Sequence, residues 1–198
     1  MNSTSPSTVI RQGFILAALA LLMIATRFHH EGTPFALPDA SLGVFFLAGL
    51  FLNSPLAFVT LLGLAFAIDY VAVTAFGVSG YCISPAYAFL VPTYAVMWFG
   101  GRYFERLSSQ GWNRDALLLA IAIIWSASSA FLISNFSFYW FSGELVGVGI
   151  LEYSFGLMRE YPVYLGAASF YVLSGLGVDA LLRTLANIHA RRADSLEN

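Results

Sequence analysis

The chain has 198 residues, of which 59% are hydrophobic and 10% charged, with a formal net charge of −2. Soluble domains carry about 25% charged residues, so this composition excludes an ordinary water-soluble domain and indicates an integral membrane protein. The length suits a single integral membrane domain over residues 1–198, with no room for a second domain of normal size.

Six apolar segments are expected in chain order. The polar start, Met1 to Thr8, lacks a basic leader region and a small-residue cleavage site, so the first apolar run, 9–26, is expected to be retained. Arg27-Phe28-His29-His30-Glu31 ends it. The second run, 36–52, is short and is entered through Pro34 and Pro38. The third spans 55–76. The fourth, 85–99, is expected to stop at Gly100-Gly101-Arg102. The fifth covers 116–134 and the sixth 162–182. A span needs roughly 17–20 residues, so the second and fourth are marginal. Gly13 and Ala17 in the first run, and Ala122, Ser126, Ala130 and Ser134 in the fifth, recur at four-residue spacing. Such stripes let helices pack closely in lipid, or form a docking face for a partner. There is no internal repeat and no Walker-type phosphate loop, which argues against inverted-repeat transporters and ATP hydrolysis. No nucleic-acid partner is expected.

All nine basic residues are arginine. With the N-terminus in the cytoplasm, Arg11, Arg102, Arg106, Arg114, Arg183, Arg191 and Arg192 lie inside, and only Arg27 and Arg159 outside. That bias predicts an even number of spans with both termini cytoplasmic. The connecting segments Arg27–Asp39, Gly77–Ser84 and Asn135–Tyr161 then face outward.

Those segments hold the unusual chemistry. Asp69 falls about 10 Å below the outer end of the third span. A carboxylate at that depth is costly unless it is paired or faces a wet cavity, so it is either a packing anchor or a pocket group. His29 and His30 end the first span, their side chains about 100° apart on a helix. Arg159 opens the sixth span beside Glu160 and Tyr161; a salt bridge to Glu160 or Glu152, a pairing with Asp69, and a ligand contact are its alternatives. The segment from Asn135 to Gly143 is rich in aromatic residues, as an interfacial belt or a lid over a flat ligand would be. Cys82 is the single cysteine, set in a polar turn between Tyr81 and Pro85, with Tyr87 close by. It cannot form an internal disulfide. It is an inert small side chain, or a thiolate that suits a soft or late transition metal already held by a macrocycle.

The six spans, the short second span, the His29-His30 pair, Asp69 in the third span and the run Tyr81-Cys82-Ile83-Ser84-Pro85-Ala86-Tyr87 together resemble the BtuM family. Those are cobalamin transporters of Gram-negative bacteria, similar to the substrate-binding S-components of energy-coupling-factor vitamin transporters. The resemblance implies an all-α six-helix bundle in the bacterial inner membrane, multi-pass with both termini cytoplasmic. It implies cobalamin as the transported ligand, Cys82 as the ligand of its cobalt, and an energy-coupling-factor energising module as partner. It makes His30, Asp69, Tyr87 and Arg159 pocket residues, with His29 and Tyr81 beside them. The activity expected is mainly transport, with removal of cyanide from cyanocobalamin at Cys82 as a side reaction. Three other readings stand beside it. One is an S-component for another vitamin. Another is a membrane cysteine transpeptidase of exosortase type, built on Cys82, Arg159 and His30. The last is a structural membrane subunit, which predicts no small-molecule ligand.

Overall fold

A computed structural model describes residues 6–27, 37–52, 54–77, 84–108 and 111–197. All regular structure among them is helical: α1 (Pro6–Arg27), α2 (Ser41–Phe51), α3 (Pro55–Phe76), a 3-10 turn (Pro85–Phe89), α4 (Leu90–Leu107), α5 (Trp112–Phe141) and α6 (Ile150–Glu197). Four of these are long and apolar enough to cross a membrane, over Thr8–Arg27, Pro55–Phe76, Asn113–Phe141 and Ile150–Arg192. Their outward faces carry Phe14, Leu21, Val59, Leu117, Ile121, Trp125, Phe170 and Leu173, all exposed. Apolar side chains that face outward along such helices are the mark of a membrane protein.

The third helix has the expected bounds because its signals are local. Ser54 is extended ahead of Pro55, whose fixed φ and missing N–H suit the first helical position. Gly77 closes the helix at its other end. The other bounds move. α2 has 11 residues, about 17 Å, too short to cross a bilayer by itself. Ser41 and the run Gly43–Gly49 are buried, so α2 is the centre of the bundle and not a lipid-facing span.

Two expected boundaries are corrected outright. α4 runs through Gly100-Gly101 and ends at Leu107. The two glycines do not stop the helix; they let neighbours approach. A Cβ on Gly101 would collide with the Phe46 carbonyl oxygen of α2, and one on Gly100 would lie 2.7 Å from the Ser126 Cβ of α5. Side by side, they fit α4 between α2 and α5.

The second correction concerns Asn135–Tyr161. α5 continues to Phe141 and α6 begins at Ile150, leaving only a turn at 142–149. Polar residues do not end α5 because they are satisfied within it. Asn135 donates to the Phe131 carbonyl at 2.8 Å and Ser137 to that of Ser134 at 2.8 Å. The turn needs glycine at Gly143 (φ 78°) and Gly147 (φ 89°), a left-handed backbone that other residues rarely adopt. Pro162 lies inside α6 and does not start it. At 48 residues α6 is about 72 Å long, more than twice the roughly 30 Å of a hydrocarbon core.

The helices alternate in direction. Arg11 near the start of α1 pairs with Asp179 far along α6 at 3.4 Å. A Cβ on Gly43 near the start of α2 would lie 2.5 Å from the Tyr171 Cβ of α6. Of the small-residue stripes, Ser126 and Ala130 are buried in the bundle, whereas Gly13 faces open space.

Candidate functional site

The end of α1, the start of α2, the last third of α3 and the start of α4 meet at one ionic cluster. Its centre is Arg27, the last residue of α1, only 5% exposed. A cation there complements the partial negative charge of the helix C-terminus. Arg27 grips Asp69 with two parallel bonds, Nε to Oδ1 and Nη2 to Oδ2, both 2.6 Å. Nη1 faces Asp39 Oδ2 at 3.1 Å, Ser41 Oγ at 2.8 Å and the Tyr94 hydroxyl oxygen at 2.7 Å. The Tyr87 hydroxyl donates to Asp69 Oδ2 at 2.5 Å. Two-point Arg–carboxylate bonds are among the strongest polar contacts available to side chains.

Local structure explains each position. Asp39 stands ahead of α2 and its Oδ1 accepts from the Ser41 N–H at 2.9 Å and Ser41 Oγ at 2.7 Å. A carboxylate at a helix start takes up donors that have no partner inside the helix. Thr26 Oγ1 accepts from the Ala40 N–H at 3.1 Å, and the Tyr171 hydroxyl donates to the Pro38 carbonyl at 2.6 Å, so α2 is tied to both α1 and α6. Tyr94 is held by stacking on Phe45, with ring centroids 4.3 Å apart.

Beside the cluster opens a cavity of about 1000 Å³. Each wall shows one helix face. Asp69, Ala72 and Val73 come from α3; Leu90, Thr93 and Tyr94 from α4; Phe131, Ser134, Asn135 and Phe138 from α5; and Tyr153, Leu157, Glu160, Tyr164 and Ala167 from α6. The three- and four-residue steps put each set on one side of its helix. Most of the wall is apolar or aromatic, with a few convergent polar groups, which is the constitution of a small-molecule site.

Of the residues singled out from the sequence, Asp69 and Tyr87 line this cavity. Asp69 pairs with Arg27, 42 residues earlier in the chain, and not with Arg159. Arg159 is exposed and is not among the lining residues; its neighbour Glu160 is. His29, His30, Tyr81 and Cys82 lie outside the described residues. Among the described residues no three His, Cys, Asp or Glu side chains cluster as a metal site.

Sequence reasoning missed four members, Arg27, Asp39, Ser41 and Tyr94. From the sequence Arg27 was counted only as one of two arginines on the outer side, with no partner expected; it is buried and paired. The available signal was its place at the end of the first span, the same end of the bundle near which the unexplained Asp69 was expected. Asp39 carried a helix-start signature, Pro38-Asp39-Ala40-Ser41, and Tyr94 had no signal beyond its aromatic character. No protein-family model matches this chain, and none of the curated proteins matches it.

Proposed function

We propose that this chain is a membrane carrier that captures cobalamin in the cavity at the Arg27 end of the bundle, with Cys82 bonding the cobalt. The observation that carries the reading is the cavity itself. It holds about 1000 Å³, it is walled by aromatic side chains, and the chain on both sides of Cys82 contributes to it. In the chain Val73 stands nine residues before the cysteine and Ala86 four residues after it. A single thiolate suits an axial site on a metal whose equatorial positions a macrocycle already fills. With cyanocobalamin, the thiol loses its proton, the sulfur–cobalt bond forms, and cyanide leaves with its electron pair and takes up the proton. Cobalt keeps its oxidation state, so this decyanation needs no reductant.

The setting proposed is the bacterial inner membrane, with six membrane-inserted helices arranged as in S-components, the cavity facing outward and both termini cytoplasmic. An energising module of the energy-coupling-factor type is the partner. Single cysteines placed in a Cys82→Ser background test the orientation. An impermeant thiol reagent added outside should label a probe at Ser142 and miss probes at Ser3 and Ser195. Labelling of either terminal probe from outside rejects the orientation.

The cobalt bond is tested by spectroscopy. Mixing the purified wild type with cyanocobalamin should shift the corrin absorption bands and release one equivalent of cyanide, and Cys82→Ser should do neither. Identical spectra for the two proteins overturn sulfur ligation. If neither protein binds the corrinoid, the carrier serves another vitamin or the chain is not a cobalamin carrier.

A further inference from the structure

The polar groups around the cavity divide into two kinds. On the α1–α4 side every carboxylate oxygen is already engaged. Asp69 Oδ1 accepts from Arg27 Nε, and its Oδ2 from Arg27 Nη2 and the Tyr87 hydroxyl. Asp39 Oδ1 accepts from Ser41 N–H and Oγ, and its Oδ2 from Arg27 Nη1. A ligand that used these oxygens would have to compete with charge-assisted bonds, the strongest in the site.

The α5–α6 wall is different. Ser134 Oγ, the Glu160 carboxylate and the Tyr164 hydroxyl line the cavity without a hydrogen-bond partner among the described residues. Asn135 commits its amide nitrogen to the Phe131 carbonyl and leaves its Oδ1 unspent. Glu160 and Tyr164 are one helical turn apart on α6, and Phe131 of α5 packs edge-on against Tyr164 with centroids 5.1 Å apart. The two halves of this wall are therefore held together. The hydroxyls can donate to a carbonyl, and Glu160 and Asn135 Oδ1 can only accept, which calls for N–H.

We propose that Ser134, Asn135, Glu160 and Tyr164 form the recognition strip of the cavity, that it reads primary carboxamide groups on the ligand, and that Arg27–Asp69 shapes the cavity without contacting the ligand. A carboxamide presents a carbonyl oxygen and an NH2 group side by side, which is the pairing this wall offers. A carboxylate in the same place would face Glu160 charge to charge and would bring no N–H. This rests on the cobalamin reading, because that ligand carries a rim of such amides.

The probes are cyanocobalamin and its monocarboxylates, in which one side-chain amide is hydrolysed. Binding is followed by calorimetry with the full-length protein in detergent. Wild type should bind at least one monocarboxylate isomer roughly tenfold more weakly than the parent, the scale of one charged hydrogen bond. Glu160→Gln, at an exposed position whose side chain makes no hydrogen bond or ion pair among the described residues, should bring that isomer to within about twofold of the parent, since the repulsion is gone. Tyr164→Phe should weaken cyanocobalamin itself by about fivefold while leaving discrimination in place. If Glu160→Gln and Tyr164→Phe both bind and discriminate as wild type does, the strip is not the recognition surface and this inference is wrong even though cobalamin binds. If wild type binds no corrinoid, the cobalamin reading fails and this inference falls with it.

Discussion

Arg27→Leu should destabilise the detergent-solubilised protein by about 3–5 kcal/mol, the cost of leaving a buried charge without its partner. Arg27 is 5% exposed and is the cation that two carboxylates share. Its loss leaves Asp69, with a side chain 14% exposed, bonded to the Tyr87 hydroxyl, and Asp39 bonded to Ser41, with no cation to balance either carboxylate. Asp69→Leu should cost less, because Arg27 keeps Asp39, Ser41 and Tyr94. The double variant Arg27→Leu/Asp69→Leu should recover part of the loss, since buried ion pairs give back their desolvation cost when both members go. Thermal melts of the four proteins form the cycle. A single Arg27→Leu variant within about 1 kcal/mol of wild type would show that solvent reaches the cluster and that the buried network is not holding the bundle.

Gly101→Ala should be among the most damaging substitutions of a single methyl group. The new Cβ would meet the Phe46 carbonyl oxygen and lie 2.9 Å from the Leu50 backbone nitrogen. Gly49 mirrors it, since a Cβ there would run into the Trp98 carbonyl of α4. Obstruction by backbone, not by a flexible side chain, forces the helices apart. Overpacking costs about 1–3 kcal/mol, and a rigid obstacle belongs at the top of that range or beyond. α2 is short and central, so its displacement loosens contacts to α1, α3 and α6 as well. Gly13→Ala is the control. Nothing lies within 4 Å of the added methyl, and alanine is favoured over glycine in a helix by up to about 1 kcal/mol. Folded yield and melting temperature should fall for Gly101→Ala and Gly49→Ala and hold or rise for Gly13→Ala. Equal melting temperatures across the three would mean that α2 and α4 do not touch backbone to backbone.

The sequence by itself determined class and local punctuation. A chain with 10% charged residues cannot cover itself with water-facing groups, so its helical, membrane character needed no coordinates. The bounds of α3 were legible because Pro55 and Gly77 act on the residues next to them. The same residue types misled elsewhere. Gly100-Gly101 reads locally as a stop, yet here it marks where two neighbouring helices pass close by. Pro162 reads as a start, yet the helix continues through it. The fifth span was expected to end at Ser134, yet Asn135 and Ser137 each bond back to their own helix, which continues.

Only the tertiary structure decided what Asp69 faces. The depth of that carboxylate demanded a partner or a cavity, and it has both. Which arginine supplies the partner depends on how α1 and α3 pack, across 42 residues of chain, and no local pattern encodes that. Counting arginines for orientation treats each as a surface charge and so hides the one that is buried. The cavity was equally out of reach, because each helix contributes only one of its faces and the faces become a wall only when α2 sets the spacing of the others. Composition and short-range sterics act within a turn or two of helix. The site is made of contacts between helices, and those belong to the packed bundle.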